Sequence, residues 1–118
     1  MNLNRRSNTV LDASVLNELV GGNGAMRDQL LASFMEEAEH KLEELKLASA
    51  EGRVADLRIA AHQLSGAARI VGAMALAESA RRLEGLDQGR IEIEGARRCC
   101  LELDQELLRF RGALAPSS

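Results

Sequence analysis

The sequence predicts an all-α protein: an antiparallel four-helix bundle preceded by a short N-terminal cap helix. Three observations predict it. Apolar residues recur at steps of three and four along most of the chain, the period of one helix face. Ala, Leu, Glu and Arg are abundant and a single Pro occurs in 118 residues, which favours helix throughout. β-branched residues are few and never alternate with polar ones over the length of a strand, so the β alternative is poor. The chain is near the commonest size for one domain and long enough to bury a core.

Glycines punctuate the chain into five helical segments. Residues 1–11 read as a flexible lead-in, and 12–114 as the domain. The first helix starts at Asp12, whose carboxylate suits an N-cap, and runs to Val20, where Gly21-Gly22 ends it. The second opens at Asn23 and continues to about Ala50, with Leu31, Phe34, Met35, Ala38, Leu42 and Leu45 on one face. Gly52 closes it. The third, Arg53 to Val71, carries Val54, Leu57, Ala61, Leu64, Ala68 and Val71 as its apolar stripe and stops at Gly72. The fourth, Ala73 to about Leu86, shows Leu76, Ala80 and Leu83. A turn over Gly85 to Arg90 leads into the last helix, whose seam is Ala96, Cys100, Leu103, Leu107, Phe110 and Leu114. Residues 115–118 read as a frayed tail. Short connections place consecutive helices side by side, each stripe needing a partner.

Composition excludes several function classes. Net charge is −3, and aromatics are limited to two Phe with no Trp or Tyr. A nucleic-acid binder usually needs a dominant basic face and rings on which bases stack. Arg81-Arg82 and Arg97-Arg98 are short pairs flanking core positions, better explained as surface charge. No apolar run approaches the length of a membrane span, and residues 1–11 are too polar for a signal peptide. Cys99 and Cys100 are adjacent and lack metal-type spacing. Neighbouring side chains on a helix diverge by about 100°, so a disulfide between them is strained. They read as reduced thiols, one in the core, of a cytoplasmic protein.

The third helix carries the chemistry. His62 points roughly 130° away from the centre of its helix's apolar stripe, and Gly66, one turn on, points more directly outward. Yet from Ile59 to Ala73 the sequence IAAHQLSGAARIVGA holds one fixed charge, Arg69. An outward face is normally polar, and a glycine inside a helix costs about 1 kcal/mol relative to Ala. Absence of a side chain at Gly66 lets another protein approach the imidazole. Ile59 and Ile70 offer apolar ground on which it docks. The plainer reading is an ordinary surface histidine, a Gly66 that eases helix packing, and isoleucines that touch the cap helix. On the residues alone both readings stand.

The stretch His62-Gln63-Leu64-Ser65-Gly66-Ala67-Ala68-Arg69-Ile70-Val71-Gly72 resembles the signature of histidine phosphotransfer (HPt) domains, roughly H-x-L-K-G-[SA]-[SA]-x-x-x-G. That family's next helix follows A-x-x-L-A-x-x-A-R-x-L-E, and Ala73 to Glu84 reads AMALAESARRLE. The segment from Leu16 to His62 also looks like the family's opening helices, so the resemblance spans about residues 10–112. The variant HQLSGAARIVGA is most similar to HPt domains at the C-termini of hybrid sensor kinases. The resemblance implies that His62 accepts the phosphoryl group and that Gly66 leaves room for the partner. It also places Glu84 where the family has a Gln or Glu bonded to the imidazole. A bond from Nδ1–H to Glu84 fixes the tautomer and leaves Nε2 free as nucleophile; the alternative is an ordinary rim carboxylate.

One position departs from the pattern. The family usually has Lys three residues after the His, and here Ser65 stands there. Arg69 is the first candidate to replace that charge, with Arg58 and Arg81 behind it, and Ser65 is itself a candidate hydrogen-bond donor. The implied partners are receiver domains of response regulators or of a hybrid kinase, docking on Ile59, Gly66, Arg69 and Ile70. No cofactor is expected on this chain, Mg²⁺ belonging to the receiver. With no P-loop, kinase-type Gly-rich segment or acidic metal cluster, the chain is expected neither to bind ATP nor to phosphorylate itself. A monomer is expected, cytoplasmic whether free-standing or as the C-terminal domain of a membrane-bound sensor kinase.

Two other classes remain open. A non-catalytic helical-bundle interaction module explains every stripe but not the apolar, glycine-bearing outer face. A metal or enzyme site using His62 and His40 would draw on Glu37-Ala38-Glu39-His40, half of a paired Glu-x-x-His signature. No second copy of that signature occurs.

Overall fold

A computed structural model describes residues 9–84 and 93–114. The described residues form helices α1 (Ala13–Val20), α2 (Gly24–Glu51), α3 (Val54–Ile70), α4 (Met74–Glu84) and α5 (Ile93–Leu114), with no strand among them. The expected turn over 85–90, Leu86 and the tail 115–118 lie outside the described residues. Helix α2 packs on α3, α3 on α4, α4 on α5 and α5 back on α2, while α1 rests against α2. This closed ring lets every apolar stripe face another.

The helix boundaries have local causes. The Asp12 side chain accepts from Ser14 N at 3.2 Å and that of Asn23 from Met26 N at 3.0 Å, each satisfying an amide that the first turn leaves without a partner. Helices α2 and α3 end the same way. Arg53 N donates to Ala48 O at 2.9 Å and Gly52 N to Ser49 O at 3.3 Å. Ala73 N donates to Ala68 O at 2.8 Å and Gly72 N to Arg69 O at 3.2 Å. This six-to-one and five-to-two pairing requires a left-handed residue after the helix, supplied by Gly52 (φ 69°) and Gly72 (φ 81°).

The core matches the periodic stripes closely. Leu31, Phe34, Ala38, Leu42 and Leu45 of α2 meet Ala96, Cys100, Leu103, Leu107 and Phe110 of α5 and the inner faces of α3 and α4, all buried. Phe34 and Phe110 stand edge to face, centroids 5.3 Å apart, a favoured aromatic geometry. Val54, Met35 and Leu114 are only partly buried. The two thiols are free, Cys100 in the core and Cys99 half-buried.

The lead-in expected over 1–11 is corrected at its end. Ala75 N donates to Thr9 O at 2.8 Å and Asp12 N to Gly72 O at 2.7 Å, and Val10 and Leu11 pack against the core. Residues 9–11 therefore belong to the packed domain, because the α3–α4 turn has backbone groups free to pair with them.

Candidate functional site

The third helix presents two faces of opposite character. Leu57, Ala60, Ala61, Leu64, Ser65 and Ala68 are buried against the neighbouring helices. On the other side His62, Gln63, Gly66, Arg69 and Ile70 are exposed. The His62 side chain keeps 74% of its surface open, although its Nδ1 lies 2.5 Å from Glu84 Oε1 on α4. Glu84 is held in turn at its backbone, where Arg58 Nε donates to its carbonyl at 3.3 Å. An ionised carboxylate only accepts, so Nδ1 carries the proton in this contact and Nε2 is the ring nitrogen left on the outer side.

An open groove beside the imidazole is lined by His62, Ser65, Gly66, Arg69, Arg81 and Glu84. The structure thus brings together six of the sequence-derived candidates, Arg81 among them. A Cβ built on Gly66 meets nothing within 4 Å, so close helix packing is not what calls for glycine there. The missing side chain leaves the floor of the groove open instead. Arg69 is exposed and makes no ion pair among the described residues. Arg81 is bound to Glu78, Nε to Oε2 and Nη2 to Oε1, both at 3.2 Å. Those bonds hold the Glu78 carboxyl below the usual carboxylate range, against an opposing effect of partial burial, with further help from the nearby charges of Arg81, Arg82 and Arg69.

Ser65 sits differently from the donor role considered for it. It is buried, and its hydroxyl donates to Ala77 O across the α3–α4 contact at 3.2 Å. Its single proton is therefore used within the fold. Position 65 follows Ala61 by four and precedes Ala68 by three, so its burial was readable from the stripe. Ile59 and Ile70 are 57% and 56% exposed, which sets aside contact with the cap helix as the reason for them. Neither lines the groove. Ile59 borders a separate depression with Leu47, Glu44, Arg53 and Asp56. Sequence reasoning missed Glu78 and the exposed Leu47. The Glu78–Arg81 spacing of three on one helix was the available signal.

His40 lies on α2 with Nε2 3.1 Å from Glu44 Oε1, an exposed pair one helical turn apart. No cluster of three or more His, Cys, Asp or Glu side chains positioned to hold a metal occurs among the described residues. None of the described helices is long and apolar enough to cross a membrane.

A helical domain that exposes one histidine on a glycine-opened face, with a carboxylate orienting its inner nitrogen, has the build of a group carrier. A family model described as "Hpt domain" matches residues 29–113, and the chain belongs to that family. Its members are phosphocarrier modules of phosphorelays, work with receiver domains and have no kinase activity of their own. Comparison with curated proteins and with solved structures found no match.

Proposed function

We propose that His62 accepts a phosphoryl group from a receiver-domain aspartate and passes it to a second receiver. The observation that carries this reading is the pairing of His62 Nδ1 with Glu84 Oε1 at 2.5 Å on a ring that stays 74% exposed. The Glu84 carboxylate favours the neutral tautomer with its proton on Nδ1, the one whose outer Nε2 is a nucleophile. The closed ring of helices supports an antiparallel four-helix bundle with α1 as its cap, a rigid scaffold for such a residue.

In this reading a receiver docks across Gly66 with Ile59 and Ile70 as apolar contacts and supplies Mg²⁺, which offsets charge on its own acyl phosphate. Nε2 attacks phosphorus in line. The P–N bond forms as the P–O bond to the aspartyl carboxylate breaks, and the carboxylate stays on the receiver. The imidazole gains positive charge, which the Glu84 carboxylate compensates at Nδ1. Positioning and charge compensation carry most of such a transfer. Arg69, which lines the groove with no ion pair among the described residues, is the cation available to the phosphoryl oxygens in place of the family's usual lysine. The site works in the cytoplasm, and a monomer suffices for it.

The test is transfer from an acetyl-phosphate-charged receiver. The expected label on this chain is lost in acid, kept in base, and absent from His62→Gln. Label that persists on that variant overturns the assignment. The interaction-module reading predicts unchanged receiver binding with no label on the parent chain.

A further inference from the structure

The groove beside His62 contains two guanidinium groups in different states, and this difference has a use. Before transfer, the charges of Arg69 and Arg81 are matched in number by those of Glu78 and Glu84, so these four groups carry no net charge. Arg81 is paired, with two of its five N–H groups donated to Glu78. A phosphoryl group on Nε2 brings about 1.5 to 2 negative charges at neutral pH, as phosphate esters do, and three acceptor oxygens. Arg69 alone supplies one charge. The buried Ser65 hydroxyl is spent on Ala77, and Arg58 is engaged at the Glu84 carbonyl. The remaining donor lining the groove is Arg81.

We propose that Arg81 is a second phosphoryl ligand, parked on Glu78 while His62 is bare and moved onto the phosphoryl oxygens once Nε2 carries them. The proposal rests on His62 being the acceptor. The geometry permits the exchange. Arg81 and Glu78 share a helix three residues apart, and the Arg81 side chain is 59% exposed, so its guanidinium swings without repacking the core. Exposed pairs of this type are weak, whereas a planar fork on a phosphate makes two parallel charge-assisted bonds. Glu78 becomes a positioning residue: it keeps Arg81 at the groove's edge and competes with the phosphoryl group for it.

Phosphoramidate, a chemical donor that phosphorylates imidazole and releases ammonia, loads the chain without a receiver. A His40→Gln background removes the other histidine. The ³¹P titration of the bound phosphoryl group and the Arg81 ¹⁵Nε resonance are then followed in the parent, Arg81→Ala, Arg81→Lys and Glu78→Gln. Loading is expected to move the Arg81 resonance. Arg81→Ala is expected to raise the phosphoryl group's second ionisation midpoint by roughly half a pH unit, since a nearby cation favours the dianion. Arg81→Lys should restore part of the shift, and Glu78→Gln should lower the midpoint because the guanidinium is no longer shared. An unmoved Arg81 resonance together with an unchanged midpoint in Arg81→Ala overturns the exchange while leaving His62 as acceptor. A signal that persists in His62→Gln overturns the acceptor assignment and the exchange with it.

Discussion

His62 on α3 and Glu84 on α4 meet through Nδ1 and Oε1, 2.5 Å apart, across the contact between two helices consecutive in the chain. The pair lies at the surface, so it adds little to stability; exposed ion pairs contribute about 0–1 kcal/mol. Its value is directional. Removing the carboxylate leaves the ring able to rotate and to exchange tautomers, while the fold barely registers the loss.

Glu84→Ala is therefore expected to slow transfer from a charged receiver about tenfold, corresponding to ~1.4 kcal/mol of lost transition-state stabilisation. Glu84→Gln keeps an acceptor for Nδ1–H and should fall between the two. The urea midpoint should change little in either. Single-turnover rates beside a denaturation curve separate the two effects.

Gly66 should show stability and function pulling apart. Its Cβ position is open, so Gly66→Ala is expected to stabilise α3 by up to about 1 kcal/mol. Gly66→Gln, with a longer side chain over the groove, should cut transfer from a receiver at least tenfold. Direct loading by phosphoramidate should be nearly unaffected, because that donor is small. Equal losses with both donors would mean that the glycine serves the imidazole and not the docking partner.

Ser65→Ala should cost about 1 kcal/mol, the usual net value of a lost hydrogen bond, through the contact with Ala77. Transfer should stay within about twofold, a change of less than ~0.5 kcal/mol. A much larger drop in rate at unchanged stability would return the hydroxyl to the phosphoryl group.

The α3–α4 turn should be the least tolerant of the glycine positions. At Gly72 φ is 81° and an added Cβ overlaps the backbone oxygen of Asp12. Gly52 has φ 69° with open space around it. Gly52→Ala should cost about 1–2 kcal/mol for the left-handed backbone alone. Gly72→Ala should cost clearly more, since the latch to Asp12 must open as well. Chemical denaturation of the two variants ranks them.

Burial pushes the Cys100 thiol up to about 11, with smaller contributions from neighbouring charges. In the unfolded chain a thiol titrates near 8.5. The folded value is the higher one, so this contribution is intact below about pH 8.5 and is lost as pH rises toward the folded value. Parent and Cys100→Ala stabilities should therefore converge over that window. An iodoacetamide time course at pH 8 should modify Cys99 first.

The helices and their buried faces were legible because period three-four repeats survive any tertiary context. Leu57, Ala61, Leu64 and Ala68 are inside for the reason that their spacing suggests, and His62 is outside by the same geometry. The join of residues 9–12 to the α3–α4 turn was not legible, since it runs through backbone amides and carbonyls that any sequence supplies. Arg58 reaching the Glu84 carbonyl is likewise set by the approach of two helices. Ser65 was misplaced by comparison with a lysine-bearing pattern, although its own spacing put it on the buried stripe.

The latch between Asp12 and Gly72 also bears on the order in which the molecule assembles. Its partners are sixty positions apart along the chain, whereas α3 and α4 are joined by a turn of three residues. Closing a long loop costs more entropy than closing a short one, and contacts near in sequence form first. The α3–α4 hairpin, with His62 and Glu84 facing each other, is expected to be an early folding unit. The N-terminal segment closes over it late and opens first in native-state hydrogen exchange. A carrier built in this order can loosen at its entry segment while the histidine keeps its orientation.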